Sequence, residues 1–152
     1  MLRNQINDAY KTAMKGKEAI AVSTLRLIQA ALKDRDIAAR SKGNTEGIPD
    51  DEILGLLQSM IKQRRESIDA YQKGGRMELA QQEAEEISVI ERFLPAPMNA
   101  DEVAAAVEAV IADVEATTLK DMGKVMAALK ERHAGQMDFG KASGVVKAKL
   151  GS

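Results

Sequence analysis

Apolar residues recur at intervals of three and four along most of this chain, the period of helices with one buried face. The stripe Leu2, Ile6, Tyr10 and Ala13 or Met14 predicts a short first helix, interrupted at Gly16. A long helix follows from about Lys17 to Arg40, with Leu25, Ile28, Ala31 and Leu32 as its inner seam. The polar stretch Ser41-Lys42-Gly43-Asn44-Thr45-Glu46-Gly47, followed by Pro49, reads as a loop. Asp50, Asp51 and Glu52 then place three acids where a helix N-terminus favours negative charge. The third helix turns Ile53, Leu57, Met60 or Ile61, Ile68 and Tyr71 inward and ends at Gly74-Gly75. A fourth, from about Met77 to Phe93, carries Ala80, Ala84, Ile87, Ile90 and Leu94 in register. A two-glycine break between two long helices predicts an antiparallel hairpin.

The segment Leu94-Pro95-Ala96-Pro97-Met98-Asn99 is the clearest boundary, because two prolines so close cannot continue a helix. Asn99 with Glu102 three residues on has the form of a capping box. Three shorter helices are predicted beyond it. The first buries Val103, Val107, Val110, Ile111 and Val114; the second starts at Thr118 with Asp121 and buries Met122, Val125, Met126 and Leu129. Gly135 stops the second, and Asp138 opens a last helix that buries Val145, Val146 and Leu150. The expected fold is all-α: a long-helix N-terminal domain over residues 1–94, then a small three-helix tail domain over residues 95–152. A unit as small as the tail is marginal alone and should be the softer half.

Composition agrees with the pattern. Residues that form helices well dominate, aromatics make up 3%, and strand-length β-branched runs are missing. With 45% hydrophobic and 30% charged residues, the chain can bury a core. It has no cysteine, which excludes disulfides, thiolate nucleophiles and Cys-ligated zinc. The first residues lead into a polar amphipathic segment, and no apolar run approaches the ~18 residues that span a bilayer. A cytoplasmic protein without membrane association is expected. Net charge is −1, against generic nucleic-acid binding, and no DNA partner is expected. Residues 1–42 nevertheless carry nine Lys/Arg against four acids, which leaves a selective basic face open.

Candidate chemistry is sparse. His133 is the one histidine, so histidine pairs are excluded. Glu83, Glu85 and Glu86 read as a solvated helical face, with an oxygen-ligand metal site as the alternative. Met122-Gly123-Lys124-Val125 lacks the upstream glycine and following hydroxyl of a phosphate loop, so Gly123 is expected to permit close helix packing. Arg64 and Arg65 point about 100° apart, and one of them is expected to pair with a carboxylate. Met122, Met126 and Met137 read as core filler before a binding groove. His133 either neutralises a helix C-terminus or contacts RNA or a partner. Lys124, Lys130, Arg132, Lys141, Lys147 and Lys149 form, with His133, the candidate RNA-binding set on the last two helices; plain solvated surface is the competing reading. No catalytic residue, metal or cofactor is assigned.

Several separated segments resemble the GatB/YqeY family, in its free-standing YqeY-like form: Glu91-Arg92-Phe93-Leu94-Pro95, Asp101-Glu102-Val103, Met122-Gly123-Lys124-Val125-Met126, and Gly135 to Leu150. Thr24-Leu25-Arg26-Leu27-Ile28 and the run from Gln63 to Tyr71 are similar to the same family. The resemblance implies an all-α domain followed by a three-helix tail, related to the C-terminal part of the B subunit of glutamine-dependent tRNA amidotransferase. In that subunit the tail helps hold tRNA, while the chemistry lies in other domains and subunits. The family label is carbon–nitrogen ligase with glutamine as amido-N-donor. This chain departs from the family at Pro97-Met98, where a polar-Leu pair is more usual, and at Gln136-Met137, where a basic-small pair is common.

The expectation is therefore a noncatalytic accessory module of tRNA amidation. It would bind tRNA, an amidotransferase component or an aminoacyl-tRNA synthetase component. The alternative is a helical protein–protein interaction module that docks through the long helices and does not bind RNA.

Overall fold

Helix follows helix from Leu2 onward in the computed structural model, which describes residues 1–151. Seven α-helices and one short 3-10 turn occur among the described residues, with no strand. They are α1 (Leu2–Lys15), α2 (Ala19–Arg40), α3 (Asp50–Lys73), α4 (Met77–Glu91), α5 (Ala100–Asp113), α6 (Met122–Arg132) and α7 (Phe139–Leu150). The chain divides into two compact units, Met1–Leu94 and Pro95–Ser152.

In the first unit, α1 to α4 share one core. Ile6, Leu25, Ile28, Leu57 and Ile90 are fully buried at its centre. Ile68 and Tyr71, expected to face inward, are only partly buried. Gly75 holds a left-handed backbone (φ 75°) at the turn between α3 and α4, a conformation that costs glycine nothing. Arg64 on α3 and Glu86 on α4 lie equally far from that glycine in sequence and pair across it, the register of an antiparallel hairpin.

The loop after α2 is tied down by charge. Arg3 donates to both carboxylate oxygens of Asp36, at 2.5 and 3.1 Å, and to the Ile48 carbonyl at 3.1 Å. The Ile48 amide in turn donates to Asp36 at 2.9 Å, so one carboxylate joins α1, α2 and the loop. The Arg3 hydrogen bond, helped by the Ile48 amide, holds the Asp36 carboxyl below the ordinary carboxylate range.

The second unit has its own core: Val107 and Val110 from α5, Val125 and Leu129 from α6, Ala142, Val146 and Leu150 from α7, and Met137 from the preceding turn. Met137 is buried, and Met122 and Met126 pack against this core half-buried, as filler. Asn99 closes the expected capping box: its side chain accepts from the Glu102 amide at 2.8 Å, and Glu102 accepts from the Asn99 amide at 3.1 Å. Asp121 accepts from the amides of Thr117 and Thr118, which holds its carboxyl below the ordinary range. Asp138 caps α7 by accepting from the Gly140 and Lys141 amides.

Candidate nucleic-acid interface

The seven candidate residues lie on α6, on α7 and in the turn between them, but they do not form one stripe. At about 100° per residue, Lys124 and Lys130 diverge by roughly 120° around α6, on either side of the line opposite Val125 and Leu129. Lys141 and Lys147 straddle the outer line of α7 in the same way. All four lysines are exposed, and among the described residues no carboxylate lies within ion-pair distance of any of them.

The other cations are engaged. Arg132 donates to Asp113 at 2.6 Å and Lys149 to Glu108 at 2.5 Å, so α5 neutralises the two basic side chains nearest the core. Lys149, through its hydrogen bond, holds the Glu108 carboxyl below its ordinary range. His133 follows the last residue of α6; its amide donates to the Leu129 carbonyl, and its Nδ1 lies 3.3 Å from Gln136 Oε1. That is the helix-end placement, half-buried and locally bonded. Gly135 follows with a left-handed backbone (φ 78°) and turns the chain toward α7.

Two expectations are corrected. Gly123 does not mediate close packing: a Cβ placed there would meet nothing within 4 Å. Its conformational freedom is therefore pure cost. Gly123→Ala is expected to raise the stability of the second unit by about 0.5–1 kcal/mol, read from the denaturant midpoint at unchanged slope. A fall in midpoint would show that the glycine is required. The acidic run on α4 is not simply solvated either. Glu86 is buried, Glu83 is half-buried, and only Glu85 is exposed. Arg64 Nε lies 3.8 Å from Glu86 and 4.0 Å from Glu83, so Arg64 is the member of the arginine pair that meets a carboxylate. Burial, then the charge of Glu83, pushes the Glu86 carboxyl above its ordinary range, and Arg64 opposes the shift. Sequence reasoning missed this trio because Arg64 stands on a different helix from the two acids. Among the described residues, no group of three or more acids or histidines could hold a metal ion, and no helix is long and apolar enough to cross a membrane.

The fold and this surface define an all-α protein whose three-helix C-terminal unit displays dispersed, partly neutralised cations. The chain belongs to the YqeY-like protein family, whose model matches residues 3–150. It is 32% identical over 111 residues to Altered inheritance of mitochondria protein 41, mitochondrial, of Eremothecium gossypii, covering 70% of this chain and 57% of that protein. The protein of the same name from Meyerozyma guilliermondii is 34% identical over 93 residues, 60% of this chain and 45% of its own length. The one from Kluyveromyces lactis is 29% identical over 107 residues, 69% of this chain and 56% of its own. The chain thus spans about half the length of these curated relatives. Their names carry the word mitochondrial, which overturns the expectation of a cytoplasmic protein. That expectation rested on the missing cysteine and the polar first segment, and neither separates one reducing compartment from another.

Proposed function

We propose that this protein is an accessory module of glutamine-dependent tRNA amidation that holds tRNA through its C-terminal unit and leaves the chemistry to a partner. The carrying observation is the set of four exposed lysines without carboxylate partners among the described residues, Lys124, Lys130, Lys141 and Lys147, on the two helices whose sequence resembles the tRNA-holding tail of the amidotransferase B subunit. Phosphate contacts need such free, solvated cations. Arg132 and Lys149, already paired with acids, contribute less to this role, and His133 contributes by closing α6.

The divergence of the lysines limits how many can meet one RNA at once. Affinity for tRNA is expected to be measurable at about 50 mM salt and to fall steeply by about 200 mM. Changing Lys124, Lys130, Lys141 and Lys147 together to Ala should flatten the log–log salt slope by about one to two, with less effect than four simultaneous contacts would give. No detectable binding at low salt rejects the RNA reading. Glutamine-dependent ammonia release by pure protein would reject the holding role.

A further inference from the structure

A second surface lies on the first unit. The outer side of α2 carries Ser23, Leu27, Ala30, Asp34 and Ile37, continued by Ser41 at its C-cap, spaced four and three residues alternately, the spacing of a coiled-coil seam. All six are exposed, and Leu27 and Ile37 keep 48% and 50% of their surface in water. A large aliphatic side chain is normally turned inward on a helix with so clear a buried face. Here the buried face is Ala21, Thr24, Leu25, Ile28 and Leu32, and the outer row is additional to it.

One flank of this row is basic. Arg26, Lys33 and Arg40 follow one another at intervals of seven residues, about 10 Å apart and on one line of the helix. Arg26 is steadied by Tyr10, donating to its hydroxyl at 2.9 Å with the guanidinium 5.8 Å from the ring centre. Among the described residues Lys33 and Arg40 have no carboxylate within ion-pair distance; the nearby Asp36 is engaged by Arg3. Between α1 and α2 beside this flank lies a hollow of about 220 Å³, lined mostly by polar residues that include Arg3, Lys33, Asp36 and Arg40, with Leu32 and Ile37 as its apolar members.

We infer that this face docks an amphipathic helix of a protein partner, with apolar side chains along the Leu27–Ile37 seam and a row of acids opposite Arg26, Lys33 and Arg40. Charge complementarity selects the acidic flank, and the heptad interval of the three cations matches the interval at which a helix can present carboxylates to them. The two exposed aliphatic side chains, Leu27 and Ile37, favour a partner with apolar side chains over a phosphate backbone, which would leave their surface in water. Asp34, the one charged residue of the seam, asks the partner for a cation at that position, which fixes register.

The test uses the whole chain and three probes. One is a synthetic helix of about 21 residues, long enough to pass the full basic row, with leucines at heptad spacing, glutamates on the flanks and one lysine placed to meet Asp34. The second carries lysines on the flanks instead, and the third is a single RNA strand of similar length. Binding is followed by fluorescence anisotropy, and its location by the methyl resonances of Leu27 and Ile37. The acidic helix is expected to saturate, to shift both methyls, and to bind about tenfold more weakly when Lys33→Glu and Arg40→Glu are combined or when Ile37→Asp is made. These positions are exposed, and unchanged helical circular dichroism verifies that the variants remain folded. No saturable binding of the acidic helix, equal binding of the basic one, indifference to the three substitutions, or preferential shifting of the same methyls by RNA would each overturn the inference. None of these outcomes bears on the lysines of the tail, so the tRNA reading stands or falls separately.

Discussion

Replacing Arg64 with alanine is expected to cost the first unit about 2–4 kcal/mol near neutral pH, far more than an ordinary surface arginine. Arg64 faces two acids at 3.8 and 4.0 Å and donates to the Met60 carbonyl at 3.2 Å, and its side chain is almost wholly covered. Its Nε is buried and makes no hydrogen bond, so the group already sits in an imperfect site. Without it, Glu86 is left buried beside Glu83 with no opposing charge, and the cost is that of an unpaired anion. The loss should depend on pH in a definite sense. The Glu86 carboxyl is raised above its value of 4.5 in an unfolded chain, so the folded state holds the proton more tightly. Its contribution therefore favours folding at low pH and turns against it as pH rises from about 4.5 through the raised folded value. Arg64→Ala extends that window upward. Urea unfolding followed at several pH values should show a large loss at neutrality that shrinks on acidification. Pairing Arg64→Met with Glu86→Leu should recover the parent's stability to within about 1 kcal/mol, because the hairpin then buries hydrocarbon instead of charge. A loss of equal size at every pH would remove the carboxylate from the explanation.

The features legible in the sequence are those written in neighbouring residues. The Gly74-Gly75 break, the acids Asp50 to Glu52, the Asn99–Glu102 box and the Asp138 cap all operate within one turn of chain, and the structure has each of them. The helical period likewise placed Ile6, Leu25, Ile28, Leu57, Val107, Val125 and Leu129 inside, since one face of each helix has to be apolar whatever it packs against. What stayed hidden depends on register between elements. Glu86 looks like its neighbour Glu85 until the α3–α4 hairpin brings Arg64 beside it. Val89, just outside the expected seam of α4, is buried as well.

The candidate interface shows the same division. Composition and spacing identified the basic side chains of α6 and α7, yet could not tell which were already spent. Glu108 and Lys149 are 41 residues apart, and Asp113 and Arg132 are 19 apart, so only the packed unit makes them partners. Gly123 was misread for a related reason. A glycine inside a helical pattern suits either close approach or nothing at all, and only the neighbouring atoms decide.

Leu129→Ala is expected to bring the second unit to the edge of unfolding while the first remains native. Leu129 has no exposed surface and sits among ten buried residues, so its truncation costs about 2–5 kcal/mol in transfer and cavity terms. A unit of this size has only about 3–9 kcal/mol to lose, at the usual stability per residue. The same lesion at Leu25, equally buried, falls in a core of sixteen buried residues carried by four helices, where a comparable cost leaves a larger reserve. Hydrogen exchange read residue by residue separates the two cases. In Leu129→Ala the amides of α5, α6 and α7 should lose most of their protection at 25 °C while those of α2 and α3 keep theirs; in Leu25→Ala the amides of α2 should stay protected, though less than in the parent. Simultaneous loss of protection throughout the Leu129→Ala chain would show that the two units unfold as one cooperative body. Full retention in α6 and α7 would mean that the smaller core is far more stable than its size implies.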